Sequence, residues 1–309
     1  MMTSLKKTLL YFRIMVIVVF MLTHLFFPCE AKNSHQPNDS TSAKTGNPIR
    51  FEHIAFNVPD PVATVQWYTT NLGMKIMRFD GAPTFTTFIA DSGMHMMIEF
   101  FHNAGYPLLE PAKMHNMAIH LAFSTPSIVK TQEMLVAAGA TIVDSLRKTA
   151  SGDQVMTLRD PWGLPIQFVE RIKPMLSFTG LYIEHFAMNI SDSRAKAKWY
   201  GENLHSVIVR DGKAPTYGMF IADAGKNMMF ELYQQQEYPV IDFTTISHMS
   251  IHIAFMVNDI QAAKSTLVAA GAKVVDDIMK TASGDFVMML RDPWGLPIQF
   301  VKRENAILK

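Results

Sequence analysis

Apolar and polar residues alternate along short runs of the chain, and helical patterns separate these runs. Glu52–Val58 alternates with a period of two, which is typical of a strand with one buried face. Asp60 and Pro61 then begin a helical pattern that ends before Gly73, because proline suits a first helical turn and glycine suits the residue after a helix. Three more strand patterns follow, at Lys75–Arg78, Thr84–Ala90 and Met96–Phe101.

The same order of patterns then occurs a second time. A strand is predicted at Ala118–Ser124 and a helix at Ser127–Ala138, closed by Gly139. Three strands follow, at Thr141–Leu146, Gln154–Arg159 and Pro165–Val169, with a turn between the last two. Each such segment is therefore a pair of strand–helix–three-strand units. The pattern predicts an α+β protein with mixed sheets, helices on one face and a cleft.

The whole segment Phe51–Glu170 is then duplicated without a gap at Ile183–Lys302, 132 positions later, as His185 follows His53. About half of the positions are identical, which establishes a duplication. The period is too long for a stacked repeat, so each copy is expected to be a domain. We predict domains at 51–173 and 183–304, with a connector at 174–182 and a tail at 305–309.

The N-terminus has a different composition. Lys6 and Lys7 precede the apolar run Ile14–Phe27, which is short for a spanning helix but suits a secretory signal. We expect a signal at 1–31, a polar, disordered tether at 32–50, and an exported protein, either periplasmic or secreted. An uncleaved membrane anchor is the alternative. The only cysteine, Cys29, would be removed with the signal.

The charge balance argues against a polynucleotide partner. Lys and Arg number 28 against 27 Asp and Glu, so no basic field is available to hold nucleic acid. A hydrophobic content of 49% is ample for two cores.

Four polar residues in each copy stand alone inside otherwise apolar strands. Neighbouring apolar residues would face the helices, so the polar residue would face the opposite side of the sheet. If the units face each other, two imidazoles, a carboxylate and an amide oxygen would meet in one cleft, which is a plausible set of ligands for a divalent metal. The residues are His53, Glu99, His120 and Gln167 in the first copy, and His185, Glu231, His252 and Gln299 in the second.

The sequence leaves open which units meet. The two units of one copy could form a cleft, or a unit of one copy could complete its site with a unit of the other. A lone histidine or glutamine on a strand is more often structural than a ligand, but the joint placement in both copies favours metal binding. Arg78 and Arg210 could hold a substrate or could be solvated strand ends, and Asp153 and Asp285 are interpreted as loop residues.

These motifs resemble the vicinal oxygen chelate superfamily, which includes glyoxalase I, resistance proteins and extradiol dioxygenases. The resemblance rests on EHIAFNV followed by W-Y-x-x-N-L-G, on the IEF and HLAF strands, and on DPWGLPIQF. It implies two tandem domains of paired βαβββ units that pair within the chain, with metal ligands at the eight residues named above. The pattern is nearest to that of glyoxalase I, but Gln167 and Gln299 stand where the family has a glutamate.

Together with the predicted signal, the resemblance implies an exported, glyoxalase-like metalloprotein that acts on a small oxygen-rich molecule. A divalent cation such as Zn, Ni, Fe or Mn would act as a Lewis acid, and Glu99 or Glu231 would be the base of a lyase or isomerase. One alternative is a metal-free module that binds a small molecule. Another is a ring-cleaving dioxygenase, which the glutamine in place of the last glutamate disfavours.

Overall fold

The structure is a computed structural model and describes residues 49–308. The predicted signal at 1–31 and nearly all of the predicted tether at 32–50 lie outside the described residues. Within the described part of the chain, none of the helices is long and apolar enough to span a membrane.

The order strand–helix–three strands occurs four times, which defines four units. The first unit contains β1 (Arg50–Asn57), α1 (Pro61–Leu72), β2 (Lys75–Phe79), β3 (Thr87–Ala90) and β4 (Met97–Phe101). The second contains β5 (Ile119–Ser124), α2 (Ile128–Ala137), β6 (Thr141–Lys148), β7 (Gln154–Arg159) and β8 (Pro165–Glu170). The third contains β9 (Tyr182–Asn189), α3 (Ser193–Leu204), β10 (Val207–Asp211), β11 (Met219–Ala222) and β12 (Met229–Tyr233). The fourth contains β13 (Ile251–Met256), α4 (Ile260–Ala269), β14 (Lys273–Lys280), β15 (Phe286–Arg291) and β16 (Pro297–Lys302).

The residues predicted to begin and end the first helix do so in the structure. The side chain of Asp60 accepts a hydrogen bond from the amide of Ala63 and caps α1, and Gly73 ends that helix with φ +63°. The largest difference from the predicted strands is at β3, which starts at Thr87 instead of Thr84. The reason is a tight turn in which Phe85 has a φ of +48°, outside the extended region that a strand requires.

The strands form two mixed eight-stranded sheets, as the α+β prediction requires. The first sheet has the order β14-β15-β16-β13-β1-β4-β3-β2, and the second has the order β10-β11-β12-β9-β5-β8-β7-β6. The first unit therefore pairs with the fourth, through antiparallel β1 and β13, and the second pairs with the third, through antiparallel β5 and β9. Every sheet combines one unit from each copy of the duplication.

The units of a single copy are joined on the helical side instead. Alternate residues of β1, such as Ile54 and Phe56, lie in the main hydrophobic core. There the indole nitrogen of Trp67 in α1 donates a hydrogen bond to the carbonyl oxygen of Ala138 at the end of α2. The Tyr68 hydroxyl likewise donates to Asp160 in the turn after β7. The two copies are therefore interlocked, with helices packed within a copy and strands paired between copies.

Candidate metal centres

Each sheet carries one cluster of two histidines and a glutamate on its face away from the helices. We call them the Glu99 site (His53, Glu99 and His252) and the Glu231 site (His120, His185 and Glu231). Within each site the potential ligand atoms lie within 4.8 Å of one another. At the Glu99 site, Oε2 of Glu99 is 3.0 Å from Nε2 of His53 and 3.8 Å from Nε2 of His252. At the Glu231 site, Oε2 of Glu231 is 3.2 Å from Nε2 of His185 and 3.8 Å from Nε2 of His120.

The register of the strands explains why these side chains share a face. Ala55 in β1 lies opposite His252 in β13 and opposite Glu99 in β4. Ala254 in β13 lies opposite His53 in β1 and opposite Gln299 in β16. Because directly opposed residues project to the same face, all four polar side chains point the same way, and the small alanines leave room between them.

The Glu231 site has the same register. Ala187 in β9 lies opposite His120 and Glu231, and Ala122 in β5 lies opposite His185 and Gln167. The glutamines of β8 and β16 are therefore on the ligand face, next to the three-residue clusters. The side chains that meet come from both copies, which settles the pairing that the sequence left open.

One histidine of each site is held by a backbone carbonyl. Nδ1 of His120 donates to the carbonyl oxygen of Asn116 at 3.2 Å, and Nδ1 of His252 donates to that of His248 at 3.1 Å. A carbonyl can only accept, so the proton is on Nδ1 and the lone pair is on Nε2. Burial is the main cause that lowers the pKa of each imidazole to about 4, which keeps it neutral at pH 7. Each Nε2 is buried without a hydrogen-bond partner among the described residues.

The other histidine of the Glu99 site is held by a carboxylate. Oε2 of Glu52 lies 2.8 Å from Nδ1 of His53. Adjacent strand residues normally point to opposite faces, but the register shifts between Phe51 and His53, so this bulge turns Glu52 beside His53. Arg303 clamps Glu52 with two hydrogen bonds of 2.7 Å. It donates a third, of 2.9 Å, to Asp285.

These contacts control the ionisation of the buried groups. Burial opposes the charge on Glu52, but the hydrogen bonds from His53 and Arg303 outweigh it and lower the pKa of Glu52 to about 2. Burial also opposes protonation of His53, yet the carboxylates of Glu52 and Glu99 raise the pKa of His53. The pKa of Glu99 is lowered because His53 outweighs the effect of burial. The pKa values therefore keep both carboxylates ionised at neutral pH.

The Glu231 site repeats this support. Glu184 contacts Nδ1 of His185 at 2.9 Å, and Arg171 binds Glu184 at 2.7 and 2.9 Å and Asp153 at 3.0 Å. Sequence reasoning missed both glutamates and both arginines, Arg171 and Arg303. A signal was available, since the Glu-His dipeptide and the arginine recur 132 positions apart. The interpretation of Asp153 and Asp285 as loop residues omits their role, because both are buried partners of these arginines.

The donor set fits a divalent cation. Two buried imidazole Nε2 atoms and one ionised carboxylate oxygen converge. A cation between them would replace the proton that one histidine shares with the glutamate and would give the lone pair of the other histidine a partner. Histidine nitrogen together with carboxylate oxygen suits borderline transition metals such as zinc, nickel, iron or manganese. Carboxylate and carbonyl partners on the second ring nitrogen are the usual support of a metal-bound histidine. The neighbouring glutamine, which the strand register places on the same face, is the candidate fourth ligand.

Paired βαβββ units that carry His, Glu and His on the sheet face away from the helices define a class of protein. The sequence profile of the Glyoxalase/Bleomycin resistance protein/Dioxygenase superfamily matches residues 50–168, and that of a glyoxalase-like domain matches residues 185–301. The chain belongs to this superfamily, which is the vicinal oxygen chelate superfamily that the motifs resemble.

Individual similar proteins are consistent with this superfamily. The chain is 23% identical over 201 residues to a probable chloroplastic lactoylglutathione lyase of Arabidopsis thaliana, a match that covers 63% of the chain and 53% of that protein. The fold is similar to that of glyoxalase I from Zea mays, with a TM-score of 0.68 and 18% identity over 83% of this chain and 93% of that one. A putative dioxygenase of Bacillus subtilis has a TM-score of 0.58 at 14% identity, over 84% and 86%. At these identities the solved structures show a shared fold.

Proposed function

We propose that the protein is a divalent-metal enzyme of the glyoxalase type with one metal centre on each sheet. The observation that carries this proposal is the pair of neutral, buried imidazoles, His120 and His252, whose Nε2 lone pairs have no partner among the described residues and face a carboxylate oxygen at 3.8 Å. A buried acceptor without a donor is costly, and a cation between the acceptors removes that cost.

The ligands would be His53, Glu99, His252 and Gln299 at one centre, and His120, Gln167, His185 and Glu231 at the other. A bound cation supplies Lewis acidity, which stabilises negative charge that develops on a substrate oxygen. Glu99 and Glu231 are the candidate bases, because each is the carboxylate of its site that faces solvent in part, with side chains 14% and 21% exposed. Glu52 and Glu184 are fully engaged by arginine and histidine and act as positioning residues.

The substrate is proposed to be a small molecule with neighbouring oxygens, and the reaction a lyase or isomerase reaction with proton transfer at carbon. The relative named a probable lactoylglutathione lyase supplies the first reaction to assay. An exported protein would not meet a cytosolic thiol cosubstrate easily, so oxygen-rich substrates without a thiol should be assayed beside it.

The metal proposal is tested by titrating the metal-free protein with Zn²⁺, Ni²⁺, Fe²⁺ and Mn²⁺ in a calorimeter. We expect up to two ions per chain, and full loss of activity when a chelator removes them. If the protein bound none of the four ions at saturation, the donor set would be structural and the protein a metal-free binding module. Oxygen uptake with Fe²⁺ would instead indicate a dioxygenase.

The role of the glutamates is tested with Glu99→Gln and His120→Ala, each made separately. Both changes remove a ligand, so both should lower the metal content. In a His120→Ala background only the Glu99 site should be active. Adding Glu99→Gln there should lower activity further than metal loss explains, even when excess metal refills the site, because that change also removes the base. Full recovery of activity on refilling would exclude glutamate as the base.

We also propose that the protein is exported. The support is the short apolar run Ile14–Phe27 behind Lys6 and Lys7. Mass spectrometry of the native protein should show a chain that begins after Ala31. An intact Met1 in a membrane fraction would favour the anchored alternative, and an intact Met1 in the cytosol would exclude both.

A further inference from the structure

The two metal centres have the same ligands but different walls. A cavity of about 330 Å³ opens onto the Glu231 site, a volume suited to a small ligand. Its lining includes His120, His185 and Glu231. The same cavity is lined by four cationic side chains, those of Arg147, Arg171, Arg210 and Lys213, and Glu231 is the one acidic residue of its lining.

Most of this positive charge is not neutralised by the protein. Arg171 is bound by Asp153 and Glu184. By contrast, no carboxylate among residues 49–308 forms an ion pair with Arg147, Arg210 or Lys213. Arg210 instead lies over the ring of Phe220, 4.1 Å from its centroid. Burial is the main cause that lowers the pKa of Arg210, and the neighbouring charge of Arg171 lowers it further.

The Glu99 site lacks this excess of positive charge at the corresponding positions, which lie 132 residues away in the sequence. Met279 in β14 corresponds to Arg147 in β6, and Gly81 corresponds to Lys213. Arg78 corresponds to Arg210, but its guanidinium group is 2.9 Å from Asp80 and 3.5 Å from Asp285.

The residue that neutralises Arg78 is also specific to the first copy. Asp80 stands where the second copy has Gly212. The Glu99 site therefore has two fewer cations at these positions than the Glu231 site, and one more anion. The proposed metal ligands themselves match residue for residue, so these positions give the surroundings of the two sites different charges.

We propose that the two centres take ligands of different charge, and that the Glu231 site is selective for a small oxyanion, a ligand with a carboxylate or phosphate group. Arg147, Arg210 and Lys213 would hold the anionic group, and the other oxygens of the ligand would face the proposed metal centre. This proposal rests on the proposed function for the metal end of the cavity. Binding of the anionic group depends only on Arg147, Arg210 and Lys213, whether or not a metal is bound. Guanidinium groups match carboxylate and phosphate geometry, and a lysine adds a mobile point charge.

The test uses inorganic phosphate and succinate as probes, at fixed ionic strength, with the metal-free full-length protein. We expect wild type to bind one equivalent of at least one of these anions per chain. The double variant Arg147→Met with Lys213→Gly, which installs the residues found at the corresponding positions of the Glu99 site, should bind about tenfold more weakly. A preference between phosphate and succinate assigns the anionic group.

A matched control changes the net charge by the same two units elsewhere. Lys130→Met with Lys198→Met alters exposed lysines on the helices α2 and α3, and anion affinity should stay within twofold of wild type. Failure of wild type to bind either anion, or equal losses in the two double variants, would overturn the proposal.

Metal titration of the same variants keeps the two proposals distinguishable. Arg147 and Lys213 are not ligands, so their double variant should bind as many metal ions as wild type. Wild type that binds metal but neither anion would refute the oxyanion site and leave the metal function intact. Wild type that binds an anion but no metal would refute the metal function and retain the selective anion pocket.

Discussion

Oε2 of Glu99, in the first copy of the duplication, lies 3.8 Å from Nε2 of His252, in the second. The two residues meet because β1 pairs with β4 on one side and with β13 on the other. A change in one copy should therefore disable a site that the other copy completes.

The first prediction uses the metal content of variants to test that each site combines residues of both copies. His120→Ala and Glu231→Gln remove ligands of one site, so the double variant should retain about one metal ion per chain, as each single variant does. His120→Ala with Glu99→Gln disables both sites and should retain none. Elemental analysis of the purified proteins gives the number of metal ions per chain in each double variant. Retention of one ion by His120→Ala with Glu99→Gln would mean that these two residues belong to a single site.

The second prediction concerns Glu52, which positions His53 and is clamped by Arg303. In a Glu231→Gln background, where only the Glu99 site binds metal, Glu52→Gln should weaken metal affinity about 10- to 100-fold, as changes in outer-shell partners do. The measurement is calorimetric titration of the metal-free variants. Glu184→Gln is the matched control. Because Glu184 supports the Glu231 site, this change should leave the metal affinity of the Glu99 site within twofold.

The third prediction is a pH effect on stability from Asp160. Burial raises the pKa of this carboxyl to about 6, against 3.8 for an exposed aspartate. The folded protein therefore keeps a proton that the unfolded chain loses between these values. The resulting stabilisation is complete below pH 3.8 and is lost as the pH rises through 6, and it amounts to about 3 kcal/mol.

Asp160→Asn removes that titration. The stability of wild type relative to Asp160→Asn should fall by about 2 kcal/mol between pH 4 and pH 7, since the amide cannot ionise. Urea unfolding of both proteins across this range measures the difference. A difference that does not change with pH would show that Asp160 titrates alike in the folded and unfolded protein.

The fourth prediction concerns a buried ion pair that only the second copy has. Nζ of Lys196 is 2.8 Å from Oδ2 of Asp292, and both side chains are fully buried. The corresponding position in the first copy is Thr64. Lys196→Met should lower the free energy of unfolding by about 3 kcal/mol, because it leaves a buried carboxylate without its cation.

The double variant Lys196→Met with Asp292→Asn removes both charges. It should be more stable than Lys196→Met alone by at least about 1 kcal/mol, since the unpaired charge is gone. Chemical denaturation at pH 8 provides the values. If the double variant were less stable than Lys196→Met by the full amount that Asp292→Asn costs on its own, the two side chains would not be coupled.

The duplication, the four strand–helix–three-strand units and the residue types of the centres follow from the sequence alone. Alternation determines which residues of a strand share a face, so Glu99 and His120 could be assigned to the face opposite Ile98 and Leu121 without coordinates. Helix ends could be predicted because Asp60 and Gly73 act on their own neighbours in the chain. Both the strand alternation and the helix caps operate over a few residues.

Only the tertiary structure decides which units pair. β1 could join β5 of its own copy or β13 of the other by local criteria, since both strands carry the same alternation. The choice depends on packing between residues far apart in the chain. Consequently, the meeting of Glu99 with His252, the clamp of Arg303 on Glu52, and the excess charge beside Glu231 could not be derived from local patterns. The bulge that turns Glu52 beside His53 also breaks the strand alternation on which the sequence prediction depends.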